Sequence, residues 1–236
     1  MEIDQRTLCP AYLLHRRAYS NHSLLVECFT PDAGRFPAVA RGVKVGKRGK
    51  AGLLQPFSPL LIRWSGRGEV KNLNGFEAAG PPLMLAGKRL YCGFYLNELL
   101  MRLLQRSDPH PSLFSRYAVT LSRLATEHPL EPTLRQFEFQ LLDELGYRLV
   151  LDRNVDDDSP LIAEHRYQYT LDRGPVPGHE GDPCLIRGST LLALHEERVL
   201  DPGQLAEARQ LSRYVLAYYL GDRPLKSREL FRDIGL

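Results

Sequence analysis

The chain has 236 residues, 43% of them hydrophobic and 25% charged; this average globular composition excludes global disorder and fibrous repeats and leaves room for one large domain or two modest ones. Its longest apolar runs, such as Leu60–Ile62 and Leu191–Leu194, fall far short of the roughly 20 residues that cross a bilayer, and Met1–Arg6 lacks the apolar core of a signal peptide, so a cytoplasmic protein is expected. The net charge of +3 divides unevenly: residues 1–79 hold 12 Lys and Arg against 6 Asp and Glu, and residues 80–236 hold 19 against 22.

From the N-terminus the pattern is one of short strands and turns, at residues 12–16, 23–30, 35–41, 57–64 and 69–76. Pro31–Gly34 and Ser65–Gly68 are turn signals that make hairpins of the second and third strands and of the fourth and fifth. Five strands in so small a unit predict a compact barrel, either an OB-fold or an SH3-like barrel, since periodicity does not distinguish them. Pro37 argues for an edge or a bulge in the third strand.

Between Ala33 and Gly68 lie Arg35, Arg41, Lys44, Lys47, Arg48, Lys50, Arg63 and Arg67, with no acid among them. The centre of this stretch is rich in glycine, which suits a mobile loop following a phosphate backbone, although a basic surface loop kept for solubility would read the same.

After Gly80-Pro81-Pro82 the period changes to helical. One long helix carries Leu85 to Leu104 and stops at Asp108–Pro111; a second runs over 112–127; a third starts at Thr133, with Gln136 completing a capping box, and ends before Gly146. Residues 152–183 form a loop-rich excursion with one short strand near 166–171, and helix returns at 191–197 and 204–220. The expected domains are 1–79, a nucleic-acid-binding barrel, and 80–236, mainly α-helical with an irregular excursion at about 152–190, giving an α+β chain.

Catalytic signatures are missing from the sequence. Gly42-x-x-x-Gly46-Lys47-Arg48 is one residue too short for a phosphate-binding loop and has Arg where a hydroxyl is needed; the seven histidines include no HExxH, and there is no GxSxG. The four cysteines lie far apart without zinc-ligand spacing and read as free thiols. Asp156-Asp157-Asp158 could hold Mg²⁺ in a nuclease, but an acidic run in a loop is more often simply solvated.

Several strings together resemble the RecO family of bacterial recombination mediators. In the first half these are Tyr12–Arg17 followed by Tyr19-Ser20 and Ser23–Leu25, Phe29-Thr30 with Gly34-Arg35, Ala40–Gly42, Leu54–Leu60 and Gly66–Lys71. In the second half they are Leu90–Leu100, Leu134–Leu142 with Gly146-Tyr147, and Pro224–Phe231. The resemblance runs from end to end. It implies an N-terminal OB-fold joined to a helical domain, and a protein that binds single- and double-stranded DNA and anneals strands coated with single-stranded DNA-binding protein (SSB). It further implies work with RecR, and in some contexts RecF, to load RecA at the nucleoid. No cofactor or covalent step is expected, and the four zinc-binding cysteines of some members are lacking here.

On this reading Arg35, Arg41, Lys44, Lys47, Arg48, Lys50, Arg67 and Lys71 neutralise phosphates, and Tyr19, Phe36, Phe57 or Trp64 would stack a base if they face the groove, with the core the stronger reading for each. Arg135 matches the family's basic position for the acidic, hydrophobic SSB tail; otherwise it is an exposed arginine near a helix N-terminus. The competing functions are an OB-fold RNA-binding protein, a Mg²⁺-dependent nuclease and a protein-binding adaptor.

Overall fold

The structure is a computed structural model that describes residues 7–43 and 50–227. Its first compact unit takes in the described residues through His128 together with those from Leu225, and the second is Pro129–Pro224. The units therefore do not follow the change from strand to helix at 79/80.

In the first unit, β1 (Cys9–Ala18), β2 (Leu24–Thr30), β3 (Gly34–Ala40), β4 (Leu60–Ser65) and β5 (Lys71–Ala78) close into a barrel of order β1-β2-β3-β5-β4, with β4 returning to β1. All pairings are antiparallel except β3 with β5, a strand order that makes the barrel OB-like. Period-two spacing fills it: Ala11 and Leu13, Leu24, Val26 and Cys28, Phe36, Ala38 and Ala40, and Leu60 and Ile62 all point into one core.

The parallel β3–β5 pairing is only Ala38–Lys71 and Val39–Asn72, and Pro37 lies just outside it, where a missing N–H costs that ladder nothing. Beyond it, the chain near Arg106 takes over the β3 edge through a bridge to Arg35, with the Ser107 N–H donating to Arg35 O at 2.8 Å. Gly34 makes this approach possible. A Cβ there would lie 2.0 Å from Asp108 O, and its φ of +62° is one that side-chain-bearing residues avoid.

Helices α1 (Gly87–Leu103) and α2 (Pro111–Leu124) belong to the same unit. Tyr12 and Phe29, on the outer face of the barrel, pack against Phe114 and Tyr117 of α2 with ring centroids 5.3–6.1 Å apart, so Ala11–Leu14 is buried on both faces of β1. At mid-α1, buried Asn97 donates to Leu14 O at 2.8 Å and accepts from the Tyr117 hydroxyl at 2.6 Å. Phe57, expected to begin the fourth strand, instead sits in the preceding turn at φ 65°, buried against Phe94 at 5.3 Å.

The second unit contains α3 (Leu130–Glu144), β6 (Arg166–Thr170), β7 (Gly174–Pro177), β8 (Leu185–Arg187), α4 (Gly188–His195) and α5 (Pro202–Leu220). The expected single strand of the excursion is thus one of three, in an antiparallel sheet of order β7-β6-β8. The prolines of β7 are tolerated because it is an edge.

The expected start of the third helix is also corrected. The helix begins at Leu130, and Thr133 lies inside it with its hydroxyl donating back to Pro129 O at 2.7 Å. The capping box occurs instead on α5, where Asp201 accepts from Gln204 N at 2.8 Å and Gln204 Oε1 accepts from Asp201 N at 3.0 Å.

Candidate nucleic-acid interface

Strand register decides which side chains share an end of the barrel. Ala18 faces Leu24 and Leu24 faces Ala40, while β5 begins at Lys71 opposite Ala38 and at Asn72 opposite Ser65. The end of β1, the end of β3 and the β4–β5 turn therefore gather at one end. They bring exposed Arg17, Arg41 and Arg67 and half-buried Lys71 together, with Tyr19 63% exposed in the β1–β2 turn. Glu69 in the β4–β5 turn is the acid among them, and its carboxylate lies 3.7 Å from Arg106.

The basic segment departs from and returns to this same end. The Ala51 N–H donates to Val43 O at 3.1 Å, closing the base of the segment. Arg16 then donates to the carbonyls of Ala51 and Leu54 at 3.2 and 3.0 Å. Lys44, Lys47 and Arg48 lie outside the described residues, as does the side chain of Lys50, whose backbone is in the 3₁₀ turn Lys50–Gly52.

Arg35 is corrected. It lies on the outer face of the barrel but is covered there, paired with Glu27 and donating to Leu104 O at 2.9 Å, with its side chain 11% exposed. Its charge is matched within the fold, so it holds β3 to the end of α1 and is no phosphate contact. Among the aromatic candidates, Phe36 and Phe57 are core residues, and Trp64 lies half-buried on Phe36 at 4.8 Å. Tyr19 alone of the four presents an open ring. Arg17 lies outside the acid-free stretch and the sequence pattern passes it over, although paired arginines closing a strand just before a turn are a readable sign.

Arg135 is not the exposed arginine that its position in the sequence allows. It is 7% exposed and binds Glu138, itself fully buried, which also accepts from Ser212 of α5. Its buried Nε has no partner. The residue lines a depression of about 350 Å³ whose apolar walls include Phe139, Leu194, Val199, Leu200 and Leu205. The hollow thus sets an apolar wall beside a guanidinium that Glu138 already engages.

The three neighbouring aspartates do not converge. Asp156 pairs with Arg173 at 3.0 Å, Asp158 with Arg153 at 3.2 Å, and Asp157 accepts from Asn154 and from the Ser159 hydroxyl and N–H. The Ser159 bonds hold the Asp157 carboxyl below its ordinary range. Among the described residues no group of three or more His, Cys, Asp or Glu could hold a metal ion, and no helix is long and apolar enough to cross a membrane.

Fold and site together define an OB-like barrel protein with a cationic barrel end and a second, largely helical unit carrying a buried-arginine hollow. The chain belongs to the recombination protein O family: the description "Recombination protein O N terminal" matches residues 1–82 and "Recombination protein O C terminal" matches residues 84–229. Among curated relatives, the DNA repair protein RecO of Methylococcus capsulatus is 49% identical over 224 residues, covering 94% of this chain and 92% of that protein. That of Nitrosococcus oceani is 47% identical over 229 residues, covering 96% and 93%. The Pseudomonas putida protein is 48% identical over 231 residues, covering 98% and 99%.

Proposed function

We propose that this chain is a recombinational DNA repair mediator that works by binding alone, annealing SSB-coated complementary strands and, with RecR and in some contexts RecF, helping to load RecA at the nucleoid. The observation that carries the reading is the gathering of Arg17, Arg41, Arg67, Lys71 and both ends of the basic segment at one barrel end.

Two single strands repel each other through their phosphates. A shared cationic surface lowers that repulsion and releases condensed counterions, which favours their encounter without any bond being made or broken. The hollow at Arg135 supports capture of the acidic, hydrophobic SSB tail, with the tail's carboxylate at the guanidinium and its apolar end against Phe139 and Leu200. Binding DNA and the tail at once raises the effective concentration of each site for coated strands.

The test is annealing of two complementary oligonucleotides, each precoated with SSB, with no nucleotide present. Acceleration over the SSB-only control is expected. Tight DNA binding without acceleration would replace mediation by an adaptor role, and preference for matched RNA in competition would move the protein to RNA.

A further inference from the structure

The C-terminus of α3 sets the direction of Tyr147 within the second unit. Gly146 adopts φ +82°, its N–H donates to Asp143 O at 3.0 Å, and the Tyr147 N–H reaches back to Leu142 O at 2.8 Å. These two bonds fix the chain leaving the helix. The Tyr147 ring then lies on Tyr219 of α5, with centroids 3.9 Å apart and planes 19° from parallel. Tyr219 is held from beyond by its hydroxyl, which donates to Asp172 at 2.8 Å, and Tyr218 stands edge-on to it at 5.1 Å and 76°.

The rings are not sealed into a core. Tyr147 is 41% exposed and Tyr218 53%. A stacked pair whose first ring is this exposed is accessible to another flat ring. The adjoining depression, about 180 Å³, is lined by Arg148 and Arg173 as well as by Tyr147 and Tyr219. Arg173 is engaged by Asp156 at 3.0 Å. Arg148 is 83% exposed and approaches Asp143 only to 3.8 Å, so its guanidinium is available to a ligand.

We propose that the Tyr147–Tyr219 stack is a second nucleic-acid contact, specific for single strands: an unpaired base stacks on Tyr147, and Arg148 takes the adjoining phosphate. The choice of ligand class rests on the DNA-binding reading above; the place and the geometry do not. An open aromatic face beside an exposed cation matches the alternation of base and phosphate. A duplex keeps its base faces covered and offers none to the ring. Stacking occupies the face of a base and leaves its hydrogen-bonding edge free, so a strand held in this way remains able to pair.

The full-length protein is photo-crosslinked to a single-stranded oligonucleotide carrying 5-iodo-2′-deoxyuridine, and the adducts are mapped by mass spectrometry. An adduct at Tyr147 is expected. Tyr147→Ala removes it and lowers single-strand affinity about tenfold while leaving duplex affinity unchanged, and Arg148→Ala weakens single-strand binding in the same direction. Tyr147→Phe, which keeps the ring, retains both adduct and affinity. The adduct also persists when Arg17, Arg41, Arg67 and Lys71 are all replaced by Ala. Adducts confined to the barrel, with equal affinity for Tyr147→Ala and the parent, overturn this site and leave the DNA-binding reading standing. No single-strand binding at all overturns both.

Discussion

Glu98, in the middle of α1, holds Ser227 from 129 residues further along the chain: one carboxylate oxygen accepts from the Ser227 N–H at 2.8 Å and from its hydroxyl at 2.6 Å, and the other accepts from the Lys226 N–H at 2.9 Å. A carboxylate receiving three donors at the start of a helical turn is well placed for the unsatisfied backbone N–H groups there. Leu225, 3% exposed, is buried beside it. Glu98→Ala is expected to lower the stability of the first unit by about 2 kcal/mol, since hydrogen bonds to a charged group are the stronger kind. Hydrogen exchange provides the check, with faster exchange in β1, α1 and α2 and unchanged protection in α5.

Arg35 and Arg41 separate a charge paired within the fold from one proposed to bind DNA. Arg35→Ala leaves Glu27 in a nearly buried position with only the long 3.9 Å approach of Arg106, and is expected to cost about 3 kcal/mol of stability. The salt dependence of DNA binding in the folded protein stays as it was. Replacing Arg17, Arg41, Arg67 and Lys71 together should do the reverse. The slope of log affinity against log salt on single strands then becomes shallower by about 0.7 for each phosphate no longer neutralised, with urea unfolding little changed. An unaltered slope would remove the barrel end from the proposed function.

Arg135 needs a paired design, because Arg135→Ala leaves buried Glu138 without its cation. The double variant Arg135→Met with Glu138→Gln keeps the volume and removes both charges. It should bind an acidic peptide with a C-terminal aromatic residue at least about tenfold more weakly, the equivalent of 1.4 kcal/mol, while binding naked DNA normally. Fluorescence anisotropy with the labelled peptide reads the first effect and with an oligonucleotide the second. Equal peptide affinity in variant and parent would take the tail-binding role away from this hollow.

Burial sets the alkaline limit of stability. It pushes the Cys184 thiol up to about 12 and Cys28 further still, from an ordinary 9.0, and it raises Tyr169 and Tyr117 above 10.0. Tyr219 is raised to about 12, first by burial and then by its bond to Asp172. Above the ordinary values the unfolded chain loses these protons while the folded chain keeps them. The stabilisation is therefore complete below about pH 9 and lost as pH rises through the folded values. The urea midpoint should hold level from about pH 7 to 8.5 and fall beyond it. At about pH 8, half-buried Cys9 should react with a thiol reagent well before Cys28 and Cys184.

The barrel's five strands and the long helices are legible in the sequence because their periods, two and 3.6, are written in Leu, Ile, Val and Phe. Strand order is not. The β3–β5 contact that marks the barrel as OB-like rests on two residue pairs between segments more than 30 positions apart, and no local pattern records it. Strand β7 is hidden by Pro175 and Pro177, which argue against a strand unless its edge position is known. Thr133 shows how a capping pattern misleads when helix-compatible residues such as Pro132 and Glu131 precede it, since proline is welcome in a first turn. At the candidate interface, charge is visible but surroundings are not: Arg35 and Arg41 are alike in sequence, and the Glu27 carboxylate and Leu104 O, both remote in sequence, engage Arg35 alone.

The clasp between Glu98 and Ser227 also has an order in time. On the ribosome, the barrel strands and α1 emerge long before residue 225, and all of Pro129–Pro224 must be made before the partner of Glu98 exists. The second unit consists of one continuous stretch and can fold as it emerges, whereas the first stays unlatched until synthesis has passed it. A chain cut short after Pro224 would thus carry a finished second unit and a first unit lacking its clasp, the more open of the two to proteolysis.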